Sequence, residues 1–166
     1  MNKKSITIFF LILVSLFGLM WWGRGNQVPV SDKNEVSVKS QLTSAEIFYD
    51  FGTISMSDGD VNHIFKLTNP TDKDILLSNL TTSCMCTKAY IVGSSGGKKG
   101  PFGMIGMGYV PKADEIIKAG ETRDIEVVYD PNAHGPAGVG LVDRFIYLKD
   151  SVGGALQFEI KAQVKP

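Results

Sequence analysis

Apolar and polar residues alternate along the last part of the chain. Apolar residues occupy every second position there: Leu156, Phe158, Ile160, Ala162 and Val164. Residues two apart point to the same face of an extended strand, so the pattern predicts a strand with one buried face. Residues 125–129 alternate in the same way and predict a second strand.

Further short apolar runs predict most of the remaining strands. These runs cover residues 47–54, 61–69, 75–82 and 144–148, with shorter ones at 89–92 and 116–118. Turn residues such as Asp58-Gly59-Asp60 and Asn69-Pro70 separate them. About seven short strands at this spacing predict an all-β fold, an immunoglobulin-like antiparallel β-sandwich.

The N-terminal segment has a different pattern. Residues 1–25 contain no acidic residue, and Ser5 to Trp22 is an uncharged and mostly apolar run. A helix over that run would be about 27 Å long, which predicts one N-terminal transmembrane helix. Lys3 and Lys4 should keep the amino terminus in the cytoplasm. A cleaved signal peptide is the alternative.

The composition after this segment predicts two further regions. Residues 26–44 are polar and aperiodic, which indicates a flexible linker, and residues 45–166 are long enough for one β-sandwich domain. We expect this domain on the periplasmic or extracellular side of the membrane. The whole chain has 17 basic and 17 acidic residues; without Lys3, Lys4 and Arg24 the balance is 14 against 17, a net charge of −3. That acidity argues against nucleic-acid binding.

A glycine-rich stretch interrupts the strands at residues 93–108. It holds seven glycines in sixteen residues, together with Met104 and Met107. Long glycine-rich insertions in a small domain are either functional loops or disordered ones. The sequence leaves this choice open.

Several motifs occur in an order that resembles a known family. They are Tyr49–Ile54, Val61–Asn69, Ser83–Thr87, Ala119–Glu121 and Ile125–Pro131. Together they resemble the bacterial domain of unknown function family 1573, related to hydin-like immunoglobulin modules, over residues 46–164. The resemblance implies the fold and no activity. The chain departs from the family at Met85, where glycine is usual.

The motif Cys84-Met85-Cys86 contains both cysteines of the chain. It follows a predicted strand, and continued strand geometry would place both sulfurs on one face. Four interpretations stay open. The pair could form a strained disulfide, bind a soft metal, exchange with a partner's disulfide, or simply pack as two small residues.

The metal interpretation has a defined set of candidate ligands. Cu(I) prefers thiolate and thioether sulfur, so Cys84 and Cys86 are its principal candidates, with Met85 and His134 as additions. Met104, Met107 and His63 are more distant additions. His63 is in register with the apolar residues of its strand, so we expect it to be an inward, hydrogen-bonded histidine. Met104 and Met107 are expected to fill an apolar gap.

Patterns typical of catalysis are missing from the sequence. Neither His-Glu-x-x-His nor Gly-x-Ser-x-Gly occurs, and the two histidines have no cluster of carboxylates beside them in the sequence. We therefore expect a non-enzymatic, membrane-tethered module that binds or assembles other proteins, with a protein partner and no cofactor. The alternative is a copper- or thiol-handling protein that uses Cys84 and Cys86.

Overall fold

The structure is a computed structural model, and the part of the chain that it describes contains nine β-strands. The described residues are 38–93 and 96–166, with Leu13, Ser15 and Gly18. The strands are β1 (Phe48–Ser55), β2 (Val61–Thr68), β3 (Ile75–Thr82), β4 (Thr87–Val92), β5 (Lys98–Phe102), β6 (Glu115–Ile117), β7 (Thr122–Tyr129), β8 (Gly140–Asp150) and β9 (Ala155–Lys165). Short 3-10 helices span Met56–Asp58 and Gly135–Gly138.

The strands form two sheets. One has the order β1-β9-β8-β3-β6 and the other the order β2-β7-β4-β5. This confirms the predicted all-β fold of two sheets. The prediction that the sandwich is antiparallel throughout was wrong at one edge, because β1 pairs in parallel with β9. The first and last strands therefore run side by side in the same direction.

The alternating pattern builds the core as the sequence predicted. In β9, the side chains of Phe158, Ile160, Ala162 and Val164 are all buried. Phe158 stacks on Phe65 of β2, with ring centroids 4.5 Å apart, which links the two sheets. Each such buried aromatic side chain contributes roughly 1.5–3 kcal/mol relative to an exposed one.

The packed part of the chain begins before the predicted domain boundary at residue 45. The compact unit that contains the sandwich runs from Ser37 to Pro166. Leu42 is buried in the core, the Ser40 hydroxyl donates to Asp150 at 2.7 Å, and Thr43 and Thr68 exchange two backbone hydrogen bonds of 2.8 Å. The predicted linker thus includes a packed end, while residues 26–37 lie outside the described residues.

The glycine-rich stretch is partly a strand. Residues 98–102 form β5, which pairs with β4, and Phe102 at its end is fully buried. The alternating pattern missed β5 because its other side chains are exposed and two of its five residues are Gly100 and Pro101. Residues 94 and 95 lie outside the described residues.

The predicted transmembrane helix lies almost entirely outside the described residues. Of residues 1–25, only Leu13, Ser15 and Gly18 are described, and each is helical. Among the residues that the structure describes, no helix has the length and apolar character needed to cross a bilayer.

Candidate functional site

The two cysteines lie in the turn between β3 and β4. The backbone N–H of Thr87 donates to the Cys84 carbonyl at 3.1 Å, which closes a turn of four residues. The Thr82 hydroxyl lies 3.0 Å from the Cys84 carbonyl and 2.9 Å from the Thr87 carbonyl. The expectation of a continued strand was therefore wrong. Instead, the turn brings the Cys84 sulfur 3.4 Å from the backbone N–H of Cys86.

His134 reaches the same place from the connection between β7 and β8. The backbone N–H of Asp130 donates to the Cys86 carbonyl at 2.9 Å, which holds the start of this connection beside the cysteine turn. Nε2 of His134 then lies 3.1 Å from Sγ of Cys84. The structure thus brings His134 to the cysteines across about fifty residues of sequence.

Arg144 completes the site from β8. Its Nε donates to Sγ of Cys86 at 3.1 Å, and its Nη1 donates to the Asp143 carbonyl at 2.8 Å. This role of Arg144 was not predicted from the sequence. A signal was present, since Arg144 falls in register with Val142 and Ile146, which are both buried. A charged residue at an inward position of a strand requires a partner. We call Cys84, Cys86, His134 and Arg144 the thiol site.

The environment distinguishes the two thiols. Burial tends to raise the pKa of Cys84, but hydrogen bonds from the Cys86 side chain and backbone and from His134, with the charge of Arg144, lower it to about 7. Burial raises the pKa of Cys86, and its hydrogen bond to Cys84 raises it further, against an opposing effect of Arg144. Near neutral pH the negative charge therefore resides mainly on Cys84, while Cys86 keeps its proton.

The three potential ligand atoms of the thiol site are close together. Sγ of Cys84, Sγ of Cys86 and a ring nitrogen of His134 all lie within 4.8 Å of one another. Cys86 is buried, Cys84 is half-buried and His134 is exposed, so solvent reaches the site from the His134 side. Two sulfurs and an imidazole are a suitable donor set for a soft or borderline metal ion.

The structure contains no disulfide between the two cysteines, so this predicted alternative is not supported. Both are free thiols. Each sulfur is held by a different partner, His134 for Cys84 and Arg144 for Cys86. These separate contacts hold the two sulfurs of the Cys-x-Cys turn as unbonded thiols.

The remaining candidate residues lie beside the thiol site or away from it. Met85 is exposed at the tip of the turn and lines a groove of about 160 Å³ together with Met104 and Met107. His63 lies on β2, where Nε2 is 2.8 Å from a carboxylate oxygen of Glu46 and the ring stacks on Tyr49 at 3.6 Å. His63 is therefore accounted for by these contacts.

The fold and the site define a two-sheet β-sandwich that carries paired free thiols at one end. The model of the family described as "Protein of unknown function (DUF1573)" matches residues 42–112. This match covers 71 of the 166 residues and confirms the resemblance found in the sequence. No curated protein matches the chain.

Several solved structures are similar to this chain at low sequence identity. A protein of unknown function from Porphyromonas gingivalis W83 has a TM-score of 0.54 and 12% identity over 76% of this chain and 48% of that one. The PapD-like domain 7 of human CEP192 has a TM-score of 0.47 and 14% identity, over 76% of this chain and 87% of that domain. The secreted serine protease VesC from Vibrio cholerae has a TM-score of 0.46 and 18% identity, over 74% of this chain and 23% of that one. The chain thus spans less than half the length of the first two structures found, VesC and the Porphyromonas gingivalis protein.

Proposed function

We propose that this chain is an exported, membrane-tethered module whose β-sandwich binds a monovalent soft metal ion, Cu(I), at the thiol site. The observation that supports this function is the convergence of three donor atoms from Cys84, Cys86 and His134 within 4.8 Å of one another. Cu(I) remains bound without turnover in this proposal, so the role is binding rather than catalysis.

The spacing of the donors suits one ion. A metal–sulfur bond is about 2.3 Å long, so two sulfurs on one ion are at most about 4.6 Å apart. In the structure the two sulfurs are no more than 4.8 Å apart, which is close to this limit. Metal binding also requires thiolates, and Cys84, with its pKa lowered to about 7, is already prepared for deprotonation.

The charges at the sulfurs favour a monovalent ion. Two thiolates carry two negative charges, and the Arg144 guanidinium in contact with Cys86 carries one positive charge. With a monovalent cation bound, the net charge of the two thiolates, the guanidinium and the ion is zero. With a divalent ion such as Zn²⁺ the net charge is +1. Because net charge in a partly buried site is costly, the site should prefer Cu(I) or Ag(I).

A competition titration tests this function. The full-length chain, in a mild detergent and under reducing conditions, is titrated against a chromophoric Cu(I) chelator, with the Cys84→Ser and His134→Gln variants alongside. We expect tight binding of one Cu(I) that is lost in Cys84→Ser and weakened in His134→Gln. His63→Gln is the matched control and should bind as the wild type does. Equal binding by Cys84→Ser and the wild type would exclude the thiol site as the metal site.

A second candidate function is thiol–disulfide exchange with an exported partner protein, which is the thiol-handling alternative that the sequence predicted. The free state of both cysteines and the lowered pKa of Cys84 favour it. The Cys84 thiolate attacks one sulfur of the partner's disulfide, and the other sulfur leaves as a thiolate. Cys86 then loses its proton and attacks Cys84. The partner is released as a dithiol, and Cys84 and Cys86 are oxidised to a disulfide.

Oxidised glutathione is a suitable probe for this second candidate. Intact-mass measurement should find a stable glutathione adduct on Cys86→Ser, and an internal disulfide without adduct on the wild type. An equal adduct on Cys84→Ser would show that Cys84 is not the attacking thiol.

The proposed export and tethering rest on the N-terminal sequence. The uncharged run from Ser5 to Trp22, preceded by Lys3 and Lys4, supports an uncleaved anchor with the sandwich on the periplasmic or extracellular side. An intact mass of the membrane-extracted protein that includes residues 1–22 would support the anchor, and a shorter mass would support cleavage.

A further inference from the structure

Three methionines line one groove beside the thiol site. Met85, Met104 and Met107 all contribute to this groove, and their exposed fractions are 46%, 37% and 57%. Methionine is usually a buried, gap-filling residue. Met56, the other methionine among the described residues, lies elsewhere and packs against the core. The expectation that Met104 and Met107 fill an apolar gap therefore does not account for their exposure.

The backbone joins this groove directly to the cysteine turn. Thr82 is the last residue of β3, and its backbone N–H donates a hydrogen bond of 3.1 Å to the Gly103 carbonyl. Its hydroxyl donates to the Cys84 carbonyl at 3.0 Å. A turn in which the Met107 N–H donates to the Met104 carbonyl at 3.4 Å keeps these two methionines close together. Met85 itself lies between the two cysteines. The contacts of Thr82 with Gly103 and Cys84 therefore hold the methionine groove beside the cysteine turn.

We propose that Met85, Met104 and Met107 form a second soft-metal site, which takes up Cu(I) and passes it to the thiol site. Thioether sulfur is a ligand that selects Cu(I) over Zn²⁺ and over the harder Mg²⁺ and Ca²⁺. The charged residue that lines the groove is Lys88, whose positive charge gives no attraction for a hard cation. The donor chemistry of the groove is thus specific for soft ions.

The transfer has a defined direction. Thioethers are neutral ligands, whereas the thiol site offers the Cys84 thiolate and a second sulfur, so Cu(I) is bound more tightly by the cysteines. In the transfer, the bonds from Cu(I) to thioether sulfurs break and bonds to the sulfurs of Cys84 and Cys86 form. The Cys86 proton passes to water, and copper stays in the +1 state throughout, so no oxidant or reductant is needed.

This inference rests on the proposed function, because transfer needs the thiol site as the acceptor. Binding at the methionines is tested separately with Ag(I), a redox-inert probe of the same charge and softness. The full-length chain in detergent is labelled with ¹³C at its methionine methyl groups and titrated with Ag(I) while NMR spectra are recorded. The wild type, Cys84→Ser/Cys86→Ser, and Met104→Leu/Met107→Leu are compared, with Met56→Leu as the matched control.

We expect the first Ag(I) equivalent to bind the thiol site of the wild type and the second to shift the methyl signals of Met85, Met104 and Met107. In Cys84→Ser/Cys86→Ser the first equivalent should shift these same signals, while the Met56 signal stays in place. Met104→Leu/Met107→Leu should bind the first Ag(I) equivalent at the thiol site but no second equivalent. Its thiol site should also take up Ag(I) more slowly than that of the wild type. Met56→Leu should behave as the wild type does.

The two proposals fail in different ways. If the methionine signals move in neither the wild type nor Cys84→Ser/Cys86→Ser, the second site is excluded, whatever the thiols bind. If Cys84→Ser/Cys86→Ser binds as many equivalents as the wild type, the thiol site is excluded as a metal site and transfer with it. Equal loading rates in the wild type and Met104→Leu/Met107→Leu would leave a second site but overturn its role in transfer.

Discussion

Cys84 should react as a thiolate near neutral pH, and substitutions at Cys86 test the reason. The strongest effect that lowers the pKa of Cys84 is its hydrogen bond with the Cys86 side chain. Cys86→Ser keeps a hydroxyl donor at this position, and Cys86→Ala removes it. In both variants Cys84 is the only thiol of the chain, so its reaction is measured without interference.

The expected size of the effect follows from the pKa. At about 7, half of the Cys84 molecules are thiolates at neutral pH, against roughly one in a hundred at the ordinary value of 9.0. A hydrogen bond to a charged group is worth about 1.5–3 kcal/mol, and partial exposure of Cys84 reduces this to about 1.4 kcal/mol. Cys86→Ala should thus move the midpoint of the reaction up by about one pH unit and lower the rate at pH 7 about fivefold.

The assay is alkylation by iodoacetamide, followed by intact mass at a series of pH values. Because the thiolate is the reactive form, the rate should rise with pH, with a midpoint near 7 in Cys86→Ser and a higher midpoint in Cys86→Ala. Far-ultraviolet circular dichroism checks that both variants are folded. A midpoint near 9.0 in both variants, or the same midpoint in each, would refute the reasoning.

Three further substitutions test the surroundings of the site and the fold. Arg144→Met should weaken Cu(I) binding about tenfold in the chelator titration, because the Cys86 thiolate loses its compensating charge; unchanged affinity would contradict the charge argument. Asp150→Ala should reduce the free energy of unfolding by about 3 kcal/mol, since its buried carboxylate accepts hydrogen bonds from one hydroxyl and two backbone amides. Asn69→Ala should cost about 2–3 kcal/mol, because it removes the side-chain partner of one buried and two partly buried backbone groups. Urea unfolding measures both losses, and a cost below about 0.5 kcal/mol would contradict either account.

The fold was predictable because its information is local. Alternating apolar residues in β7 and β9 specify which face is buried, and turn residues mark where strands end. The exception was β5, whose exposed glycine and proline residues carry no alternating pattern, and which forms because β4 offers it a strand to pair with. The parallel pairing of β1 with β9 was also hidden, since strand direction is fixed by the path of the whole chain.

The sequence by itself determined the all-β fold and identified Cys84 and Cys86 as candidate site residues. Only the tertiary structure decided what surrounds them. His134 and Arg144 lie about fifty and sixty residues away along the chain, and they meet the cysteines because the β3–β4 turn, the β7–β8 connection and β8 converge at one end of the sandwich. The pKa of a thiol depends on burial, on hydrogen bonds and on charges within a few ångströms. Those neighbours are fixed by strand order, which residue spacing does not specify.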